Sequence, residues 1–312
     1  MAKEKIVVVM GGPSSESKVS HRSGTAVLNA LRAKGHNAVP LELDPPHFVE
    51  DLKKLAPTFV FNALHGKFGE DGVLQGTLDM LGIPYTGSDV TAAAVTMDKV
   101  MTKRVFLGAG VQTPPALSFH RREREEAIKA ALAMKKLPLV IKASSQGSSI
   151  GVTIAETENE LQAAIDDAFH YDEQILIEEF IDGVELTVAV WGDAHGLEAF
   201  PVIEITTPSG RYDFASKYNK GGSKHIIPAR ISEAATKASQ KLAIDAYRAC
   251  NCRGLARVDI MLAKDEQPYA IEVNSVPGLT ELSLVPDAGR AMGVEFPDLC
   301  EKMLYLAGYP KE

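Results

Sequence analysis

One run near the start of the chain constrains the fold more than any other. IVVVM, Ile6 to Met10, is apolar throughout and mostly β-branched, breaks at Gly11-Gly12, and gives way to a helical pattern from about Ser17 to Lys34 that Gly35 closes. Two more strand-like runs follow, Ala38 to Leu43 and Thr58 to Asn62. A strand without polar alternation is covered on both faces, and strands separated by helical segments join through right-handed crossovers. The expected class is therefore α/β, with an N-terminal lobe at residues 1–96 built on a parallel sheet.

The remaining chain reads differently. TMDKVMTKRVFLGAG has the pattern of a helix, with Lys99 at its start and Gly108 and Gly110 at its end, and Pro114-Pro115 marks an extended linker. PLVIKASSQGSSIGVTIA is a pair of β-rich runs around a Gly/Ser turn, the pattern of an antiparallel hairpin. A helix at about Glu156 to Phe169 and a strand at Ile175 to Phe180 follow. Further strands are expected at Glu185 to Trp191, Glu198 to Glu204, Val258 to Ala263 and Pro268 to Val273, with a helix at about Glu233 to Cys250. A chain of 312 residues exceeds one ordinary domain, and we divide the rest into a central lobe, 97–184, and a C-terminal lobe, 185–312. The polar, turn-rich stretch TPSGRYDFASKYNKGGSKHIIPAR predicts a mobile loop at 207–228, hinged at Gly221-Gly222.

Charge and cysteine usage exclude several classes. The net charge of -8 argues against a nucleic-acid partner, whose phosphates demand clustered positive charge. Three cysteines, two of them in a C-x-C rather than a C-x-x-C, fit a reduced, cytoplasmic protein. No apolar run approaches the roughly 20 residues that span a bilayer, and the first one is too short for a secretory leader. The turn after the first strand lacks G-x-G-x-x-G, which weighs against a nicotinamide dehydrogenase.

The chemistry gathers near the C-terminus. In YAIEVNSVPGLTELS the residues Glu272 and Asn274 share one strand face, and in ARVDIML so do Arg257 and Asp259. On neighbouring strands, Asp259, Glu272 and Asn274 make three oxygen ligands for Mg²⁺, with Arg257 alongside to meet negative charge. Lys142 opens KASSQGSSIG, where turn amides and an ammonium suit phosphates, although the order is not that of a P-loop. In ILIEEFIDGVEL, backbone groups near Glu178 and Glu179 suit adenine, and Glu185, past Gly183, suits ribose hydroxyls. Glu16 stands at a helix start, where the dipole favours an acid. Taken singly, each has a plain structural alternative: a solvated sheet face, a hairpin turn, a charged loop, a helix cap.

Taken in order, HGKFGEDGVLQGTLDMLGIPYTGS, MDK, IKASSQGSSIG, RVDIML and EVNSVPGLTELSLVP resemble the D-alanine–D-alanine ligase family of ATP-grasp enzymes over nearly the whole chain. The resemblance implies the ATP-grasp fold, with ATP held between the central and C-terminal lobes. It implies that Lys99 and Lys142 hold phosphates, joined by Ser148 of the turn; that Glu178, Glu179 and Ile181 meet adenine through their backbone; and that Glu185 meets the ribose. It implies two Mg²⁺ ions, or Mn²⁺, on Asp259, Glu272 and Asn274. Glu16 would take the ammonium of a first D-alanine with His65 nearby, and Ser148 and Tyr218 would tie Glu16 to the mobile loop. Lys217 and Ser283, with Leu284 beside them, would hold the second D-alanine, and Arg257 with the Gly278 N–H would form an oxyanion hole. A cytoplasmic homodimer without membrane insertion completes the expectation. The rivals are a ligase whose acceptor is D-lactate or D-serine and a non-catalytic nucleotide-binding protein; Tyr218 argues against the lactate reading and Arg257 against the last.

Overall fold

The computed structural model describes residues 4–193, 196–208, 222–280 and 283–310. The first part of the chain runs β1 (Lys5–Met10), α1 (Ser17–Ala33), β2 (Asn37–Glu42), α2 (Phe48–Leu55), β3 (Phe59–Asn62) and α3 (Val73–Leu81). β1 lies between β2 and β3, and both pairings are parallel. The reason for its unbroken apolar run is visible in the packing. Ile6, Val8 and Met10 face one core with α1, while Val7 and Val9 face another with α2 and α3. Each such side chain, fully buried, contributes about 1.5–3 kcal/mol.

Next come α4 (Val90–Met97) and α5 (Lys99–Ala109). The helix expected with Lys99 at its start is α5, capped by Gly110; before it the chain turns extended at Asp98 (ψ 107°), whose carboxylate accepts from the N–H groups of Val100 and Met101. A capping aspartate has stopped one helix and started another. The central sheet has the order β4-β7-β5-β6 and is antiparallel: β4 (Ala116–His120), β5 (Leu139–Ala143), β6 (Val152–Ala155) and β7 (Gln174–Glu179). One face, with Leu139, Ile141, Ile175 and Ile177, packs under α6 (Arg124–Ala133) and α7 (Glu158–Tyr171). The opposite face carries Lys142 and Glu178.

The third sheet has six strands, in the order β11-β10-β8-β12-β13 with β9 also on β8. Its members are β8 (Gly183–Asp193), β9 (Gly196–Ala199), β10 (Ile203–Thr206), β11 (Lys224–Ile226), β12 (Gly254–Ala263) and β13 (Pro268–Asn274). The single strand expected at Glu198 to Glu204 is thus two, separated at Phe200 to Val202, because Pro201 has no N–H to give the ladder. Helix α8 (Glu233–Ala249) covers one face, packing Ala243, Ala246 and Tyr247 on Val188, Val258 and Ile260. Helices α9 (Leu284–Ala291) and α10 (Phe296–Leu306) return to the first core, where Leu284, Leu299 and Leu304 join Ile6 and Leu31. The end of the chain therefore ties the third sheet to the first. The part of the third sheet's other face left open, at Arg257, Glu272 and Asn274, borders a cleft.

Candidate active site

One cleft of about 950 Å³, including its open mouth, is lined from all three parts of the chain. Glu16 and His65 come from the loops around the parallel sheet, Lys99 from the first residue of α5, and Ser148 from the turn between β5 and β6. Arg257, Glu272 and Asn274 come from the open sheet face, and Gly278, Ser283 and Leu284 from the entry to α9. These ten sequence candidates, 250 residues and more apart at the extremes, are brought together.

The strand register explains the acidic face. Arg257 lies opposite Asn274 and Asp259 opposite Glu272, and a bulge follows Asp259. Without that bulge Ala270 and Glu272 would share a face; with it, Ala270 enters the apolar core while Glu272 turns to the cleft. Arg257 grips Asp259 bidentately, Nε to Oδ1 and Nη2 to Oδ2, both at 2.8 Å. Thr187 donates to Asp259 Oδ1 at 2.6 Å, and Asn274 Nδ2 donates to Oδ2 at 3.1 Å. Glu272 is held more loosely, with Lys99 Nζ at 3.7 Å. Two carboxylates and an amide carbonyl form the oxygen-only, incomplete set that Mg²⁺ takes when phosphates supply the rest. Among the described residues no group of three or more His, Cys, Asp and Glu forms a closed metal site.

At the other end of the cleft Glu16 is 7 % exposed and accepts a hydrogen bond from Ser148 Oγ. The turn that delivers Ser148 is strained and close. Ser148 and Ser149 sit at φ 51° and 61°, left-handed values that cost an L residue roughly 1–2 kcal/mol each. A Cβ on Gly147 would lie 2.4 Å from Glu16 Oε2, so only glycine lets the turn approach. Lys99 Nζ donates to the Gln146 carbonyl of the same turn at 2.6 Å.

His65 is buried, with Nε2 3.0 Å from Ser23 Oγ. Burial lowers its pKa, against the pull of the Glu16 charge, so the ring is neutral. Glu70, which the sequence reading passed over, also lines the cleft and accepts from the Gly66 N–H at 2.5 Å. Burial first, then the charge of Glu16, pushes its carboxyl up to about 8. Its sequence signal was an acid five residues beyond His65, in a turn bracketed by glycines.

The expected nucleotide residues lie on the inner face of the central sheet. Glu178 is opposite Ala116 on one side and Val140 on the other, so its backbone is committed to the ladder and its side chain is what it presents. That carboxylate, 1 % exposed, is clasped by Lys142 and by Lys103, whose Nζ is 2.5 Å from Oε1. Burial would raise the pKa of Glu178, but the charges of Lys142 and then Lys103 outweigh it and hold the acid below its usual range. Lys103 is a second residue the sequence reading missed, although it stands one helical turn from Lys99. Glu179 gives its N–H to the Pro115 carbonyl, and its carboxylate accepts from Lys136 Nζ at 2.7 Å. Ile181 follows in the β7–β8 connection and Glu185 within β8, opposite Met261, both half-buried; a Cβ on Gly183 between them would lie 1.9 Å from the Leu262 carbonyl oxygen. Ser283 Oγ, in place of capping α9, is bonded to Thr280 through its N–H at 2.9 Å and its hydroxyl at 2.8 Å. Lys217, Tyr218 and the hinge residue Gly221 lie outside the described residues.

The chain is similar to known proteins over nearly its whole length. Residues 105–305 match the family model described as D-ala D-ala ligase C-terminus, and residues 47–88 match D-ala D-ala ligase N-terminus. The chain is 49% identical over 310 residues to the D-alanine–D-alanine ligase of Moorella thermoacetica, covering 98% of this chain and 100% of that one. The crystal structure of the D-alanine–D-alanine ligase of Bacillus anthracis complexed with ATP superposes with a TM-score of 0.83 at 31% identity, over 97% of both chains. The VanG D-Ala:D-Ser ligase of Enterococcus faecalis gives a TM-score of 0.85 at 31% identity, over 98% of this chain and 99% of that one.

Proposed function

The chain belongs to the D-alanine–D-alanine ligase family, and from that premise we propose how its cleft joins two D-alanines at the expense of ATP for peptidoglycan synthesis. It is an ATP-dependent ligase that forms a carbon–nitrogen bond. The observation that carries the residue assignments is that Glu16, Lys99, Arg257 and Glu272 converge on one cleft.

A carboxylate is a poor electrophile, so the γ-phosphoryl group of ATP passes first to a carboxylate oxygen of one D-alanine, giving ADP and an acyl phosphate. Glu16 holds the ammonium of that D-alanine, and Ser148 fixes the Glu16 carboxylate. Lys99 and Lys142 neutralise the phosphates. Asp259, Glu272 and Asn274 would hold Mg²⁺, or Mn²⁺, whose part is to spread the charge of the transferring phosphoryl group. Glu272 is more open than Asp259, with side chains 24% and 14% exposed, and Asp259 would have to loosen a bond to Arg257 or Asn274 to join such a set. The amine of the second D-alanine, its carboxylate held by Ser283 and Lys217 against Leu284, then attacks the acyl carbon. Its proton is lost, Arg257 and the Gly278 N–H meet the oxyanion, and phosphate leaves. Glu179, Ile181 and Glu185 line the base and ribose end. Tyr218 belongs to the loop that keeps water from the acyl phosphate.

The lobes 1–96, 97–184 and 185–312 are the units of this reading. A cytoplasmic homodimer belongs to it as well: no helix among the described residues is long and apolar enough to cross a membrane, and Val73 and Met80 of α3, 50% and 91% exposed, offer apolar surface to a second copy. Phosphate release from ATP, measured with D-alanine alone and then with D-lactate or D-serine added as acceptor, tests the assignment. Release with D-alanine and not L-alanine, and D-alanyl-D-alanine as the main product in each mixture, is expected. A depsipeptide or a D-alanyl-D-serine product at equal acceptor concentration overturns the acceptor assignment.

A further inference from the structure

We propose that Lys103 is a positioning residue of the nucleotide site: it stays on Glu178 and keeps that buried carboxylate compensated while Lys142 leaves Glu178 for a phosphate oxygen. The inference rests on the ligase reading only in taking the anion to be a nucleotide phosphate.

The two lysines are not equivalent. Lys103 has three partners: it donates to Thr113 Oγ1 at 2.7 Å and to the Pro114 carbonyl at 3.0 Å, and pairs with the Glu178 carboxylate, Nζ to Oε1 at 2.5 Å. Thr113 in turn donates to the Ala270 carbonyl at 2.8 Å, which fixes its hydroxyl as the acceptor for Lys103. The Lys142 ammonium, among the described residues, meets Glu178 and no other side chain. It therefore keeps donors for a ligand, while Lys103 is held in place by a hydroxyl and a carbonyl as well as by the carboxylate.

Charge points the same way. Lys103, Lys142 and Glu178 are 5%, 7% and 1% exposed, so two ammonium groups share one carboxylate in a place with little water. A buried surplus of one positive charge calls for an anion. Lys142 stands at the end of β5 where the turn to Ser148 begins, so it is the lysine that can answer. If Lys142 were the sole partner of Glu178, its departure would leave a bare buried carboxylate, a strongly unfavourable state. Lys103 removes that obstacle. It also sits four residues beyond Lys99 on the same helix, so α5 sets both ends of the charge pattern. Burial lowers the pKa of Lys103; the Glu178 charge opposes that and the Lys142 charge adds to it, so the carboxylate is the group that favours the ammonium form here.

Lys103 also touches the linker after α5, so a purely architectural strut is the alternative to exclude. Binding of the magnesium complex of a non-hydrolysable ATP analogue is measured by calorimetry on the full chain and its variants, with the KM for D-alanine in parallel. Lys103→Met should weaken the analogue by about tenfold or more and leave the D-alanine KM within about twofold, whereas Lys103→Arg should stay within about threefold. The double variant Lys103→Met/Glu178→Gln should bind no worse than Glu178→Gln, because a neutral amide needs no counter-charge and Lys142 is already released. Independent, multiplying losses in the double variant, or a wild-type affinity in Lys103→Met, overturn the proposal. If Lys103→Met does not melt cooperatively, the double variant decides: folding and binding like Glu178→Gln support the proposal, and failure to fold overturns it. Normal binding by a wild-type protein that releases no phosphate with D-alanine would instead remove the ligase reading and leave this one standing.

Discussion

Gly147→Ala adds one methyl group where the flap turn meets Glu16. The new Cβ would stand 2.4 Å from Glu16 Oε2 and 3.2 Å from its Cδ, against ordinary contact at 3.4 Å or more. Turn and carboxylate must separate by about 1 Å, and the adjacent Ser148 hydroxyl loses its bond to Glu16 Oε1. A buried hydrogen bond to a charged group is worth about 1.5–3 kcal/mol. Carried through to the ammonium of the first D-alanine, that predicts a rise of about 10- to 100-fold in the KM for D-alanine. The KM for ATP should move less than that for D-alanine, since the Lys142–Glu178 cluster is untouched and only the turn's own phosphate contacts shift. Coupled ADP release, titrated in each substrate, reads both numbers, and a thermal melt confirms folding. Ser148→Ala should move the same constant in the same direction without the steric push. A folded Gly147→Ala with an unaltered D-alanine KM, or with both constants raised alike, would refute the reasoning that the turn acts on Glu16.

Glu272→Gln and Asn274→Ala should each lower turnover by orders of magnitude while the melting temperature changes by a few degrees, because both side chains face the cleft rather than the core; near wild-type activity at limiting Mg²⁺ would remove them from the metal site. Glu70 should make stability fall with rising pH. Its carboxyl, at about 8 in the folded protein against an ordinary 4.5, binds a proton that the unfolded chain has released, so its contribution is complete below pH 4.5 and disappears as pH rises through 8. Urea unfolding at several pH values between these limits should show the wild type losing stability relative to Glu70→Gln; parallel profiles would show that Glu70 does not hold its proton.

The sequence was most legible where one element decides the outcome alone. The run Ile6 to Met10 signals a two-sided strand because its residues really do feed two cores, and the period of two in Glu272-x-Asn274 survives because both lie beyond the bulge. Features that depend on a partner far away in the chain were not legible. Asp98 is locally legible as a helix cap, but its second partner, Ser144 Oγ, comes from 46 residues on. Glu178 looked like a strand end offering its backbone; the two lysines that make its side chain matter come from a helix and a neighbouring strand. Glu70 and Lys103 were missed for the same reason: their protonation and their charge count become meaningful only once burial is known.

The central claim is that the first D-alanine is activated as an acyl phosphate in this cleft before the second attacks. Its most direct test is oxygen transfer. With D-alanine labelled with oxygen-18 in its carboxylate, the released inorganic phosphate is analysed by mass spectrometry after a turnover in unlabelled water. The account predicts one labelled oxygen in each phosphate, carried over from the activated carboxylate, with D-alanyl-D-alanine formed in equal amount and loss of both signals in Glu16→Gln at low D-alanine. Unlabelled phosphate accompanying dipeptide formation would mean that no acyl phosphate is made and would contradict the account.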